Sequence, residues 1–233
     1  MRRGHVRLAA GVMVLMAGMG GGKGLAGPAE AGPGGDPVLV GQATPGAPGP
    51  GMTPVTVRPG TLRKGMTEWG VELGYGIVHD IPDESTDVDW VAVLPRWGYV
   101  FTDPVGPAFL RGNVYGMIEP ILALTTRPFK GYIAGFTPVG RYIVETGSAL
   151  RPFLSFGAGV LRTNLGTRIR ELGSRYNFSL QGGLVVLWFT NGQTAINVEY
   201  RFHHISNAGT ATPNRGLNAS FLLVGVSTFL GQR

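Results

Sequence analysis

From residue 67 onward the chain alternates, with a period of two, between apolar residues and residues that are polar or glycine. Successive side chains of a β-strand point to opposite faces, so this alternation predicts strands that each have one apolar face. In the segment 67–77 the apolar positions are Trp69, Val71, Leu73, Tyr75 and Ile77, and glutamate and glycine occupy most of the others. Seven more segments alternate in this way, less regularly in the third and fourth of them: 89–101, 108–118, 129–144, 150–163, 175–189, 194–206 and 217–230.

Eight such strands fit either a soluble β-sandwich or a small membrane barrel. The predicted strands run to about 10–14 residues, longer than the roughly 5–6 that are usual in globular sheets. Their apolar faces carry tryptophan, tyrosine and phenylalanine near the strand ends, as interfacial belts do. Their other faces are rich in glycine and poor in charge, which suits a crowded lumen better than a solvated surface. We therefore expect an all-β protein whose residues 67–230 form an eight-stranded antiparallel transmembrane β-barrel, with the sandwich as the alternative.

The charged residues on the polar faces are expected to lie inside this barrel. An eight-stranded barrel is just wide enough for its inward-facing side chains to fill it. Charges enclosed there need partners, so the sequence predicts ion pairs in the lumen. The residues concerned are Glu68, Glu72, Arg111, Glu119, Glu199 and Arg201.

The N-terminal part of the chain lacks the alternation. Residues 1–26 start with a basic segment, continue with an apolar run and end in small residues, which predicts a secretory signal peptide. The apolar run, about 12 residues, is shorter than the roughly 20 that a membrane-spanning helix needs. Residues 27–60 are rich in glycine and proline without periodicity, which predicts a disordered linker.

Charge and cysteine content exclude two classes of protein. Four of the 20 basic residues precede residue 27, and all 14 acidic residues follow it, so the rest of the chain has 16 basic and 14 acidic residues. A net charge of +2 over that part does not indicate nucleic-acid binding. The chain has no cysteine, which excludes disulfide scaffolds and thiolate metal sites.

The stretch 200–218, between the last two predicted strands, carries the candidate chemistry. His204 and Ser206 are two residues apart, so both side chains point to the apolar, lipid-facing side of their strand. A hydroxyl beside an imidazole is the smallest arrangement for nucleophilic catalysis, because serine needs a base to react near neutral pH. Polar residues facing lipid are candidate functional residues. Segments 206–209 and 213–216 have the composition of tight turns.

The motif His204-Ile-Ser-Asn-Ala-Gly209, the turn Pro213-Asn-Arg-Gly216 and the apolar strand after them resemble the signature of the PagL-type lipid A 3-O-deacylases. These are outer-membrane β-barrel esterases, also grouped with acyloxyacyl hydrolase-like proteins. The resemblance implies removal of an ester-linked 3-hydroxyacyl chain from lipid A of lipopolysaccharide, in the outer membrane and without a cofactor. It assigns Ser206 as the nucleophile and His204 as the base. It places the oxyanion hole at Asn207, Ala208, Gly209 and Asn214.

Asn218 is where the sequence departs from the family. The third catalytic residue of the family is a glutamate, and Asn218 stands at that position on the lipid-facing parity of the last strand. An asparagine can orient the histidine through its amide oxygen, but it lacks the charge that stabilises an imidazolium. No acidic residue follows Glu199 to replace it. Two interpretations stay open: an active Ser–His esterase with Asn218 as its third residue, and a catalytically inactive structural barrel of the same fold.

Two further questions concern metal binding and assembly. His203 and His204 are adjacent in a predicted strand, so their imidazoles point to opposite faces and cannot share one ion. The sequence therefore predicts no metal site. It leaves open whether the barrel is a monomer or a homodimer.

Overall fold

The protein is an eight-stranded closed β-barrel in a computed structural model that describes residues 60–79 and 86–231. Each strand pairs antiparallel with the next, and the last strand pairs antiparallel with the first. The strands are β1 Thr67–Val78, β2 Asp89–Val100, β3 Gly112–Arg127, β4 Gly131–Val144, β5 Leu150–Thr163, β6 Tyr176–Phe189, β7 Thr194–Ser206 and β8 Leu217–Leu230. This confirms the predicted fold class. The predicted signal peptide and all but the last residue of the predicted linker lie outside the described residues.

Seven of the eight predicted segments match a strand to within two residues at each end, and the third does not. The prediction began at residue 108 and ended at 118, whereas β3 begins at Gly112 and continues to Arg127. Residues Ala108–Leu110 instead form a single 3₁₀ turn, as do Leu165–Thr167. Proline is unfavourable inside a sheet, because it has no N–H to donate to the neighbouring strand. Pro120 nevertheless lies within β3, opposite Phe136. Across the described ranges, no helix has the length and apolar character to cross a membrane.

The outer face of the barrel is apolar. Exposed and buried positions alternate along the strands, and the exposed positions are mostly large hydrophobic residues. Leu73 and Leu184 are each 64% exposed, and Leu154 is 60% exposed. A closed barrel with an apolar outer band satisfies every strand edge internally and presents hydrocarbon to its surroundings, as a bilayer requires.

The lumen is filled by a charged layer between two apolar clusters. The ion pairs join Arg96 to Glu68 (2.9 Å) and Glu72 (2.5 Å), Arg141 to Glu199 (3.2 Å), and Arg201 to Glu119 (2.5 Å) and Glu199 (2.9 Å). One apolar cluster includes Trp90 and Phe221, and the other includes Tyr115 and Phe229. All seven charged side chains are at most 3% exposed. Their burial is therefore tolerated only because they pair with one another.

The prediction of lumen charges was right for five residues and wrong for Arg111. Arg111 is exposed, and its Nε donates a hydrogen bond to the carbonyl of Pro104 at 3.1 Å. The reason is the shifted start of β3, which leaves residue 111 in the connection before the strand. The prediction also missed Arg96 and Arg141, which provide cations that the four glutamates of the charged layer need.

The two ends of the barrel differ in their connections. At one end lie residues 79 and 86–88 between β1 and β2, the connections 128–130, 164–175 and 207–216, the end of β7 and the start of β8. At the other end lie the connections 101–111, 145–149 and 190–193, the start of β1 and the end of β8. His204, Ser206 and Asn218 therefore share the first end, which we call the site end.

Candidate active site

The pairing of β7 with β8 places the candidate residues on one patch of the outer wall. His204 lies directly opposite Asn218 in the antiparallel register. Ser206 is the last residue of β7 and lies opposite Phe178 on β6. All three polar side chains are half-buried, whereas Phe178 and Phe202 beside them are exposed. The patch is thus polar within an apolar wall, as the parity of the sequence predicted.

His204 and Asn218 are joined by a hydrogen bond between Nδ1 and the amide Oδ1, 2.7 Å apart. Because an amide oxygen can only accept, this geometry places the imidazole proton on Nδ1. The Nε2 atom then carries the lone pair that a general base needs. In the described part of the chain, the Ser206 hydroxyl makes no hydrogen bond to His204. The structure thus brings the histidine and its orienting residue together, with the serine on the same face.

Asn207 fixes the loop between β7 and β8. Its side chain is fully buried, and its amide nitrogen donates to the carbonyls of Ala211 and Pro213, each at 3.0 Å. Its amide oxygen accepts from the Gly209 N–H at 2.9 Å. Its own N–H donates to the Asn214 Oδ1 at 2.9 Å. One buried asparagine therefore holds both turns of the loop in place beside Ser206.

The backbone of this loop is left-handed at three positions. Ala208 has φ 52°, and Gly209 and Gly216 have φ values of 80° and 75°. A non-glycine residue in this region is uncommon and marks a conformation that the surroundings impose. Gly216 also passes close to the histidine, because a Cβ built there would lie 2.7 Å from His204 Cε1 and 3.4 Å from Nε2. The glycine thus makes room for the imidazole.

Glu171, in the connection between β5 and β6, supports the same loop from a distance in sequence. Its carbonyl accepts from the N–H groups of Arg215 (3.0 Å) and Gly216 (3.1 Å). Its buried carboxylate accepts from Thr86, from N–H at 2.6 Å and from Oγ1 at 3.1 Å. The Glu171 carboxylate thus lies beside the loop, and its hydrogen bonds are to Thr86. Sequence reasoning missed Glu171 because no short-range motif links it to the loop it supports.

A second polar group lies beside Asn218 on the outer wall, and we call it the Ser220 network. The Ser220 hydroxyl is 2.8 Å from His79 Nε2 and 2.8 Å from the Tyr200 hydroxyl. The His79 N–H donates to the Asn218 carbonyl at 2.8 Å. The sequence does not reveal this contact of His79, because it depends on closure of β1 onto β8. No group of three or more acidic or histidine side chains in the described ranges is placed to hold a metal ion.

The closed barrel, its apolar outer wall and a polar patch at one end define a membrane barrel with a candidate hydrolytic site on its lipid-facing side. The family model "Lipid A 3-O-deacylase (PagL)" matches residues 88–227, which is more than half of the chain. The chain therefore belongs to the PagL lipid A 3-O-deacylase family, as the resemblance in 200–218 indicated. A search of curated protein sequences found no significant match.

Comparison with solved structures agrees with the fold. The crystal structure described as the outer membrane enzyme PagL matches with a TM-score of 0.52 and 22% identity, over 67% of this chain and 97% of that one. Neisserial surface protein A matches with a TM-score of 0.53 and 12% identity, over 71% of this chain and 99% of that one. At these identities the structural likeness establishes the fold, and the family model carries the assignment to a family.

Proposed function

We propose that this protein is an outer-membrane esterase that removes an ester-linked 3-hydroxyacyl chain from lipid A of lipopolysaccharide. The observation that carries the proposal is the hydrogen bond between His204 Nδ1 and Asn218 Oδ1 on the lipid-facing wall of a PagL-family barrel. It supports a histidine held in the tautomer that leaves Nε2 free to act as a base. A lipid substrate can reach such a site sideways from the membrane, without entering the filled lumen.

In the proposed reaction, Ser206 Oγ attacks the ester carbonyl while its proton passes to His204 Nε2. The alkoxide of the sugar leaves with the proton from His204, and water then releases the fatty acid from the acylated serine. Ser206 and His204 share a face, and this step requires the serine hydroxyl to come within hydrogen-bond distance of Nε2. Hydrogen bonds of this kind are often long in free enzymes and shorten when substrate binds.

The oxyanion is proposed to bind at the loop 207–216. Of the residues assigned by the resemblance, the N–H groups of Asn207 and Gly209 already donate within the loop. Within residues 86–231 no hydrogen bond engages the N–H of Ala208 or the side-chain N–H of Asn214. These two donors are therefore the ones available to a developing negative charge. The left-handed φ of Ala208 supports this, because strained backbone occurs preferentially at functional sites.

An apolar groove on the outer wall is a suitable place for the acyl chain. The groove has a volume of about 580 Å³, and its lining includes Leu184, Val198, Tyr200 and Leu222. Tyr200 lies on β7 four residues before His204 and on the same face. An acyl chain whose ester lies at His204 can therefore extend along β7 toward the middle of the membrane.

The proposal is tested by mass spectrometry of lipid A from cells that produce the wild type, Ser206→Ala, Asn218→Glu or the length-matched Asn218→Asp. We expect the wild type to remove one 3-hydroxyacyl chain and Ser206→Ala to remove none, although its barrel assembles normally. A carboxylate at 218 supplies the charge that stabilises imidazolium, so at least one acidic variant should cleave about tenfold faster or more. Equal deacylation by Ser206→Ala would refute the role of the serine.

A catalytically inactive structural barrel is the second candidate. Two observations favour it: residue 218 is uncharged, and the Ser206 hydroxyl makes no hydrogen bond to His204 among the described residues. Under this alternative the wild type leaves lipid A intact. Activity in Asn218→Glu alone would mean that fold and site are competent and that the asparagine has removed the activity. No activity in any correctly inserted variant would establish the inactive barrel.

A further inference from the structure

The Ser220 network contains the elements of a nucleophilic site that the function proposed above does not use. Ser220 lies two residues after Asn218 on the same face of β8, a spacing of about 6.7 Å along a strand. Its hydroxyl is within hydrogen-bond distance of an imidazole nitrogen, the Nε2 of His79, at 2.8 Å. Ser206 makes no such bond to His204 in the part of the chain that the structure describes. The serine–histidine hydrogen bond of this wall is therefore that of Ser220.

We propose that Ser220 is a second nucleophilic serine, with His79 as its base and the Tyr200 hydroxyl as a hydrogen-bond donor to the oxyanion. Its substrates are acyl esters of amphiphiles that reach the barrel wall from the surrounding lipid. Nucleophile and base are at the separation that a serine–histidine pair requires. Tyr200 is 49% exposed and His79 is exposed, so an amphiphile can contact all three groups from outside.

The chemical step uses only these groups and water. With the imidazole proton on Nδ1, the Ser220 hydroxyl donates to His79 Nε2, and the Tyr200 hydroxyl donates to Ser220 Oγ. As Ser220 Oγ bonds to the ester carbonyl carbon, its proton passes to Nε2, and the Tyr200 hydroxyl turns to the new oxyanion. The C–O bond to the alcohol breaks, and the alcohol leaves with the proton from His79. Water then attacks the acyl-serine and releases the carboxylic acid.

The backbone contact between His79 and Asn218 holds the base in position. The His79 N–H donates to the Asn218 carbonyl at 2.8 Å, which extends the β1–β8 pairing by one residue beyond Val78. Asn218 thus lies between two histidines, with its side chain bonded to His204 and its carbonyl bonded to His79. The two sites share a wall and a neighbour but have separate serines and separate bases.

The test is covalent labelling of the folded protein in phosphatidylcholine vesicles with an alkyl fluorophosphonate, followed by mass spectrometry to locate the modified serine. We expect Ser220 to be modified in Ser206→Ala protein. In the same Ser206→Ala background, His79→Gln keeps a hydrogen-bonding side chain but cannot take the proton, so the rate of Ser220 labelling should fall about a hundredfold or more. Tyr200→Phe should slow labelling of Ser220 about tenfold or more, because the oxyanion loses a donor.

Ser148→Ala serves as the control, since Ser148 lies at the opposite end of the barrel and bonds to Thr146 and Leu150 rather than to a histidine. It should leave labelling of Ser220 unchanged. An unmodified Ser220 in folded Ser206→Ala protein overturns the proposal, and so does equal labelling of Ser220 in His79→Gln. Failure of the lipid A reaction is read separately, from the acyl chains that remain on lipid A.

Discussion

His204 can bond to Asn218 because residue 216 has no side chain. Gly216 has a φ of 75°, and a Cβ there would come within 2.7 Å of the imidazole Cε1. The glycine is also anchored through its N–H to the carbonyl of Glu171 at 3.1 Å. The position of the His204 side chain therefore depends on the backbone of the loop between β7 and β8, and not only on the two strands.

We expect Gly216→Ala to lower the deacylation rate about tenfold or more by pushing the imidazole away from Asn218. The change also carries a backbone cost of roughly 1–2 kcal/mol, because alanine is disfavoured at positive φ. Gly209→Ala is the matched control, since Gly209 has a φ of 80° but an added Cβ would meet no atom within 4 Å. Rates of lipid A deacylation are compared for both variants. Equal losses would assign the effect to the backbone and not to His204.

Part of the site was readable in the sequence, and the physical reason is strand parity. The alternation of apolar residues placed His204, Ser206 and Asn218 on the lipid-facing side, and the structure places them there. The resemblance placed Asn218 at the third catalytic position, and the register sets it opposite His204. The hydrogen bonds of Asn207, the support from Glu171 and the partner of His79 were not readable, because they depend on how distant connections fold together.

At the scale of one element, β7 has two faces with different chemistry. Its outward face carries the candidate base and the aromatic residues that flank it. Its inward face carries Glu199 and Arg201, which lie at the centre of the charged layer. Arg201 pairs with Glu119 at 2.5 Å and Glu199 at 2.9 Å, and Glu72 lies 3.9 Å away. Removing this one cation would leave Glu119 buried without an ion-pair partner among the described residues, and Glu199 with Arg141 alone.

Arg201→Leu should therefore lower the free energy of unfolding by about 3–5 kcal/mol. The measurement is reversible denaturant unfolding of the barrel in detergent or vesicles. Arg111→Leu is the control, because Arg111 is exposed at the opposite end and should change stability by less than about 1 kcal/mol. A double variant Arg201→Leu/Glu119→Leu should recover part of the loss, since it removes one unpaired carboxylate. No difference between the two arginine variants would contradict the role of the charged layer.

The alternation along the sequence located most residues of the charged layer, but not all of the cations that balance its glutamates. Glu68, Glu72, Glu119, Glu199 and Arg201 were placed in the lumen by alternation alone, and they lie there. Arg96 was missed although it follows the inward parity of β2, because its neighbours on that face are apolar residues such as Trp90 and Leu94. A lumen that is apolar near both ends weakens the contrast between faces on which the sequence argument depends.

At the scale of the whole molecule, the barrel exposes large apolar residues on its outer wall and buries a layer of charged residues in its lumen. Leu184 is 64% exposed near the middle of β6, whereas Phe109 is 81% exposed in the connection that precedes β3. Both are large apolar residues on the surface, but only the first lies within a strand of the barrel wall, where we expect the hydrocarbon of the membrane to lie. The loss of folding stability caused by an arginine at each position therefore reports how deeply that position lies in the membrane.

Leu184→Arg should destabilise the barrel in a bilayer by about 2–4 kcal/mol, and Phe109→Arg by about 0–1 kcal/mol. The comparison is made by unfolding from phosphatidylcholine vesicles. The same pair of variants in detergent micelles should differ less, because a micelle deforms around the charge more easily. Similar costs at both positions would contradict a bilayer centred on the strands.

The pairing of β1 with β8 also determines when during synthesis the barrel can close. Thr67 lies opposite Leu230, so the first and last strands of the barrel must meet across all the strands between them. Contacts of such long sequence separation form late and slowly, because the intervening chain must be ordered first. A chain that stops before β8 has two open strand edges, and a bilayer offers them no hydrogen-bond partner. Synthesis and insertion are therefore separated in time: the membrane can accept only a completed chain, and a truncated one has no stable place in it.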